Sequence, residues 1–215
     1  MRRVVRGLIL DLFGVLVSGN PRIFYEELIL TSSIVLDNRV WRNLYAKASS
    51  GDIDYKTFVE DIAVQISLLP DEIEGRLEDV ISKNVSIINS GDALLSHLEE
   101  TGVPFVILTN SISEWVEITL EKLNILGLAS PIVISSAIRV RKPRPRAYML
   151  AAEALGRTAQ DLVYLGDEDE DVRGAKDVGM YSVFIAGEDE VSLSCDYQIS
   201  NLSEIMDLSF VRFEP

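Results

Sequence analysis

Residues 162–180 read LVYLGDEDEDVRGAKDVGM. Leu162 to Leu165 form a short apolar run of the kind that fills a buried parallel strand. Gly166 ends it, and five acidic residues, Asp167 to Asp171, follow without interruption. DVRGAKDVG (171–179) then reads as a helix, and YSVFIAG (181–187) as another strand. A strand, an acidic turn, a helix and a second strand make a βαβ unit, which implies a parallel sheet with helices packed on its faces.

The same rhythm extends on both sides. Upstream, DALLSHLEETG (92–102) predicts a helix stopped by Gly102, and VPFVILTN (103–110) a strand. SEWVEITLEKLNILG (113–127) predicts a helix, SPIVISS (130–136) a strand, and PRAYMLAAEALG (145–156) a helix with proline at its start. Downstream, DYQIS (196–200) predicts a last short strand and LSEIMDL (202–208) a closing helix. Near the N-terminus, Val4 to Leu10 predicts one strand running into Asp11.

Between that strand and the rest of the sheet the pattern is different. PRIFYEELIL (21–30), VWRNLYAKAS (40–49), DYKTFVEDIAVQI (54–66) and PDEIEGRLEDVISK (70–83) carry apolar residues at helical spacing. The fold expected is α/β, a Rossmann-like doubly wound parallel sheet with a small all-helical cap domain. The core would comprise residues 1–17 and 88–215, and the cap residues 18–87. A helical insert after the first strand would lie over the strand carboxyl ends, where open α/β sheets bind ligands.

The 215 residues are 47 % apolar, enough for a sizeable core, and carry a formal charge of −14. Such a surface repels nucleic acid and anionic membranes, so neither is expected as a partner. A single cysteine, Cys195, fits a reducing compartment. MRRVVRGLIL resembles a signal peptide at first sight, but Asp11 interrupts its apolar run, and a cytoplasmic location is expected. Nothing in the sequence sets an oligomeric state.

Four places could carry chemistry. Asp11 follows the first strand with Gly14 close behind, as a nucleophile or as a turn cap. Thr109 and Asn110 end a later strand, as anion-binding groups or as helix caps. Lys142 sits among Arg139, Arg141, Arg144 and Arg146, a concentration of cations that could draw phosphate, although most of these arginines suit a solvated loop. Asp167 and Asp171 belong to the acidic run. Like charges crowded at a strand end are relieved by a divalent cation, and magnesium suits oxygen ligands. Asp167 is the expected ligand and Asp171 an alternate or outer one. Glu168 and Glu170 read as helix N-terminal charges.

With DLFGVL, LTN, RKPRPRAY and LGDEDEDVRGAKDVGM in this order, the chain resembles the haloacid-dehalogenase-like superfamily over nearly its whole length. The resemblance implies a magnesium-dependent hydrolase acting on a small phosphorylated molecule. Asp11 would attack phosphorus to form an aspartyl-phosphate. Mg²⁺ would be held by Asp11, the carbonyl of Phe13, Asp167 and, as alternate, Asp171. Thr109, Asn110 and Lys142 would bind the phosphoryl group, with Lys142 also holding the nucleophile.

One position departs from the family. Its phosphatases usually have a second aspartate two residues after the nucleophile, and here Phe13 stands there. Glu26, Asp52 or Asp54 could replace it, or the substrate could carry a good leaving group. Related dehalogenases carry an aromatic residue at this position, so a metal-free 2-haloacid dehalogenase is an alternative, and a weakly catalytic binding or regulatory protein is another. His97, Trp41, Trp115 and Cys195 read as structural.

Overall fold

The computed structural model describes residues 3–32, 35–88, 90–125, 131–187, 191–207 and 211–213. Its main sheet has six parallel strands: β2 (Leu8–Leu10), β3 (Phe105–Thr109), β4 (Ile132–Ile134), β5 (Val163–Gly166), β6 (Tyr181–Ile185) and β7 (Tyr197–Ile199). Their spatial order is β4-β3-β2-β5-β6-β7. β2 is therefore central, with Leu8 facing Phe105 on one side and Val163 on the other.

Side chains alternate across the sheet, as the period of two requires. Leu8, Leu10, Ile107 and Leu165 pack on one face with α5 (Gly91–Thr101) and α6 (Ser113–Leu123). Ile9, Val106, Leu108 and Tyr164 pack on the other with α8 (Pro145–Ala154) and α9 (Asp169–Asp177). Both faces are covered by helices, as expected from the alternation in sequence.

The region after β2 forms four helices, α1 (Pro21–Ser32), α2 (Asn38–Ser49), α3 (Tyr55–Ile66) and α4 (Pro70–Asn84). Local signals fix their starts. Asp37 accepts from the Arg39 N–H at 2.6 Å, Asp54 accepts from the Thr57 N–H at 2.8 Å, and Pro70 opens α4. Their apolar faces build a separate cluster around Phe24, Trp41, Phe58, Ile73 and Leu77, which also takes in Ile112 and Trp115 from the sheet-bound part of the chain.

Three expectations change. Val4 to Leu10 is two strands, because the Arg6 N–H donates to the Asp161 carbonyl at 2.6 Å and Gly7 passes close to the Pro104 carbonyl. The piece before this break, β1 (Arg3–Val5), pairs instead with β8 (Val211–Phe213) in a parallel two-stranded ribbon. Ser135 and Ser136, read as strand, begin the short helix α7 (Ser135–Ile138). Residues 202–207 form a 3₁₀ helix in place of an α-helix. Ser130, Leu208 and residues 126–127 of the predicted helix 113–127 lie outside the described residues. Among the described residues, no helix is long and apolar enough to cross a membrane.

Candidate active site

The carboxyl ends of β2, β3 and β5 lie side by side, and the residues that leave them face one cleft of about 810 Å³. Asp11, Phe13, Thr109, Asn110, Lys142, Asp167 and Asp171 all line it. These seven residues, assigned from sequence to the nucleophile, phosphoryl and metal positions, are thus in one place. Asp52 and Asp54 do not line the cleft. Asp54 caps α3, and Asp52 accepts from Ser50 Oγ. Glu26 does line it, in an ion pair with Arg22 at 2.8 Å.

Asp11 is buried just past β2, where its N–H donates to the Leu165 carbonyl at 3.0 Å. Its Oδ1 accepts from the Leu12 N–H at 2.8 Å, and its Oδ2 accepts from Lys142 Nζ. Lys142 is buried as well. Its ammonium also reaches Asp171 Oδ2 at 3.0 Å and Tyr164 Oη at 2.9 Å. Burial lowers the basicity of this amine, but the charges of Asp11 and Asp171 outweigh it and raise the pKa above the ordinary lysine value.

The loop carrying Lys142 is tied to the end of β3. Asn110 Nδ2 donates to the Lys142 carbonyl at 3.1 Å, and the Lys142 N–H donates to Asn110 Oδ1 at 2.9 Å. Thr109, the last residue of β3, is buried beside them. Asn110 thus has a positioning use that the sequence reading did not specify.

Asp167 comes from the end of β5 and lies against the turn after Asp11. A Cβ on Gly14, which has φ +85°, would fall 1.9 Å from Asp167 Oδ2. Only glycine lets the two loops approach this closely. Burial raises the Asp167 carboxyl to about 7, with Asp11's charge adding to it and Lys142 opposing. Burial also raises Asp11 to about 6, against the pull of Lys142 and with the repulsion of Asp171. Lys142 does not balance three neighbouring carboxylates.

Among the remaining basic residues, Arg139, Arg144 and Arg146 are exposed, and Arg146 pairs with Glu153 at 3.0 Å. Arg141 turns into the cleft and donates to Ser49 Oγ at 3.0 Å. Glu170 is exposed, as expected of a charge near a helix start, and Glu168 lines the cleft mouth. Phe13 packs edge-on against Phe24 of α1, with centroids 6.1 Å apart. His97 is half-buried on α5, Cys195 is a half-buried free thiol, and Trp41 and Trp115 are buried among helices.

Sequence reading missed two groups. Tyr164 is fully buried in β5 and touches the Lys142 ammonium; a hydroxyl amid an aliphatic strand was the available signal. Asn38, Arg42, Tyr45 and Ala46 share one face of α2, at helical spacing, and form a wall of the cleft. Tyr45 Oη donates to the Asn110 carbonyl at 3.0 Å, joining that wall to the strand ends.

A family model described as haloacid dehalogenase-like hydrolase matches residues 44–185. The chain belongs to the haloacid dehalogenase-like hydrolases. That match takes in Thr109, Lys142 and Asp167, while Asp11 precedes it and is placed by the sheet geometry alone. A phosphoglycolate phosphatase of Xanthomonas campestris is 24 % identical over 189 residues, covering 84 % of this chain and 83 % of the relative. Two solved structures share the fold. The L-2-haloacid dehalogenase of Xanthobacter autotrophicus has TM-score 0.70 and 16 % identity, covering 95 % of this chain and 98 % of its own. The HAD phosphatase of Thermococcus onnurineus has TM-score 0.67 and 20 % identity, covering 94 % and 97 %.

The donor set of this haloacid dehalogenase-like hydrolase fits magnesium. No cage of three or more acidic, histidine or cysteine side chains is found among the described residues. Magnesium needs none, because it takes one or two carboxylates and fills its octahedron with waters and substrate phosphate. Asp11 and Asp167, both raised by burial and Asp167 also by the charge of Asp11, are carboxylates that such an ion would relieve.

Proposed function

We propose that the protein is a magnesium-dependent phosphatase of small phosphorylated metabolites, working through an aspartyl-phosphate on Asp11. The observation that carries this reading is the crowding of three carboxylates, Asp11, Asp167 and Asp171, about one ammonium. Asp11, Asp167 and the Phe13 carbonyl would hold Mg²⁺, with Asp171 kept to Lys142. When bound, the ion would neutralise charge between nucleophile and phosphate.

The protein's own groups account for the rest. The Leu12 N–H and Lys142 hold both oxygens of Asp11, which fixes the direction of its attack on phosphorus. Thr109 and Asn110 would receive the phosphoryl oxygens, while Lys142 would balance the charge that accumulates. Phe13 cannot protonate the leaving oxygen, so substrates with low-pKa leaving groups would turn over best. Residues 18–87 would act as a cap domain over a core of residues 1–17 and 88–215, excluding water and selecting the substrate. A cytoplasmic location fits the single cysteine and the acidic surface.

The names of curated relatives, among them phosphoglycolate phosphatase and hexitol phosphatase A, support phosphatase over dehalogenase. The second reading, a metal-free 2-haloacid dehalogenase, is favoured by Phe13 and by the KPRP loop at 142–145, but leaves Asp167 without a task. Assay of an aryl phosphate with Mg²⁺, beside halide release from a 2-haloacid in chelator, separates the two. Phosphate release lost in Asp11→Asn is expected. Halide release without metal would overturn the proposal, and full function of Asp11→Asn would favour a binding protein.

A further inference from the structure

Five carboxylates, Asp167 to Asp171, leave β5 in a row, and their side chains meet different fates. Asp171 is taken by Lys142 at 3.0 Å, and Glu170 faces solvent. Asp169, the first residue of α9, is exposed, yet both of its oxygens are claimed by a segment far along the chain. Its Oδ1 accepts from Ser192 Oγ at 2.5 Å, and its Oδ2 accepts from Ser194 Oγ at 2.8 Å. Hydroxyl bonds to an ionised carboxylate are of the stronger, charge-assisted kind.

The segment that supplies these hydroxyls is fastened by polar groups. Val191 and Leu193 alternate with the serines and are exposed, so apolar burial does not hold it. Ser192 is buried; its N–H donates to Gln198 Oε1 of β7 at 3.1 Å, and its Oγ accepts from the Ser194 N–H at 3.2 Å. In the last turn of α9, Lys176 pairs with Asp196 at 2.9 Å, and Asp196 accepts from the Ser182 N–H of β6 at 3.0 Å. Residues 192–196 therefore tie α9 at both ends. Only Asp167 and Glu168 lie between Gly166, the last residue of β5, and the tied Asp169. The sheet fixes one end of this two-residue bridge and the serines fix the other. Few backbone dihedrals are left to move the Asp167 carboxylate.

We propose that Ser192 and Ser194 are positioning residues for the metal: by anchoring Asp169 they hold the bridge so that Asp167 keeps its place against the turn after Asp11 and serves Mg²⁺. The same two bonds keep Asp169, two residues from the ligand, from turning toward the cation. This rests on the magnesium reading above and extends it to a segment that does not line the cleft.

The test measures Mg²⁺ affinity by calorimetry, without substrate and well below melting, in the wild type, Ser192→Ala/Ser194→Ala, Asp169→Ala and Asp169→Asn. Amide exchange in chelator is followed at Asp171 and Val172, whose N–H groups both donate to the Glu168 carbonyl. In the double serine variant and in Asp169→Ala, exchange at these two amides should quicken at least about fivefold, and the Mg²⁺ Kd should rise about tenfold. Asparagine keeps the shape of Asp169 and an acceptor, so Asp169→Asn should recover most of the affinity. Adding Asp169→Ala to the double serine variant should cost little more, because the three residues act through one tie. Variants that melt lower yet bind Mg²⁺ as tightly as the wild type would overturn the proposal. So would an Asp169→Asn protein as weak as Asp169→Ala, since the charge of Asp169 would then be what draws the cation. A wild type that binds no Mg²⁺ would bring down the magnesium reading itself, and the metal role of the serines with it.

Discussion

Lys142 has three N–H donors, and the structure supplies an acceptor for each in Asp11, Asp171 and Tyr164. Tyr164→Phe deletes one acceptor and nothing else in volume. A hydrogen bond to a charged group is worth about 1.5–3 kcal/mol, so a drop in kcat of about tenfold or more is expected with KM little moved. Steady-state kinetics on one substrate checks it; an unchanged kcat would show that two carboxylates suffice to hold the amine. Gly166 makes this arrangement possible, since a Cβ there would come 2.6 Å from the Tyr164 ring. A second residue-scale prediction concerns Gly14. Gly14→Ala drives a methyl group onto Asp167 Oδ2 and adds strain at φ +85°. Magnesium affinity measured by calorimetry should fall at least about tenfold, a factor that corresponds to 1.4 kcal/mol.

At the scale of elements, the four helices after β2 were readable because apolar spacing and local start signals agree there: Asp37, Asp54 and Pro70 act within their own turns. The strand ends were readable for a similar reason, since Asp11, Thr109 and Asp167 each follow a short apolar run. What escaped depends on distant partners. The break at Arg6 is made by Asp161, far along the chain, and its one mark in residues 3–10 is Gly7. Tyr164 and Tyr45 sit on regular elements and acquire their significance from what faces them across the cleft. The contact between α2 and the strand ends yields its own prediction. Tyr45→Phe removes the bond to the Asn110 carbonyl at the cost of one net hydrogen bond, about 1 kcal/mol. KM should rise while the melting temperature shifts by only a few degrees; a change confined to melting would deny the wall any part in binding.

For the molecule as a whole, the acidic site links pH, metal and stability. The Asp11 and Asp167 carboxyls are raised from 3.8 to about 6 and about 7. The folded metal-free protein therefore binds these protons more tightly than the unfolded chain does. Their contribution favours folding at low pH and is lost as pH rises from about 4 to about 7. Magnesium bound as proposed would compete with the same protons. Stabilisation by the ion should be small at pH 5.5 and larger at pH 8, reaching about 2.7 kcal/mol at a hundredfold excess over Kd. Thermal melts with Mg²⁺ or chelator at both pH values test this, and Asp167→Asn should flatten the difference. A metal-induced shift independent of pH would contradict the assignment of the two carboxylates.

Trp115 belongs by sequence to the sheet-bound helix α6, yet its indole is inserted among Phe24, Trp41, Tyr45 and Phe58, at centroid distances of 5.2–5.9 Å. A side chain planted so deeply in the opposite layer rivets the two together, because prising the four helices away from the sheet would draw a whole indole out of its aromatic socket.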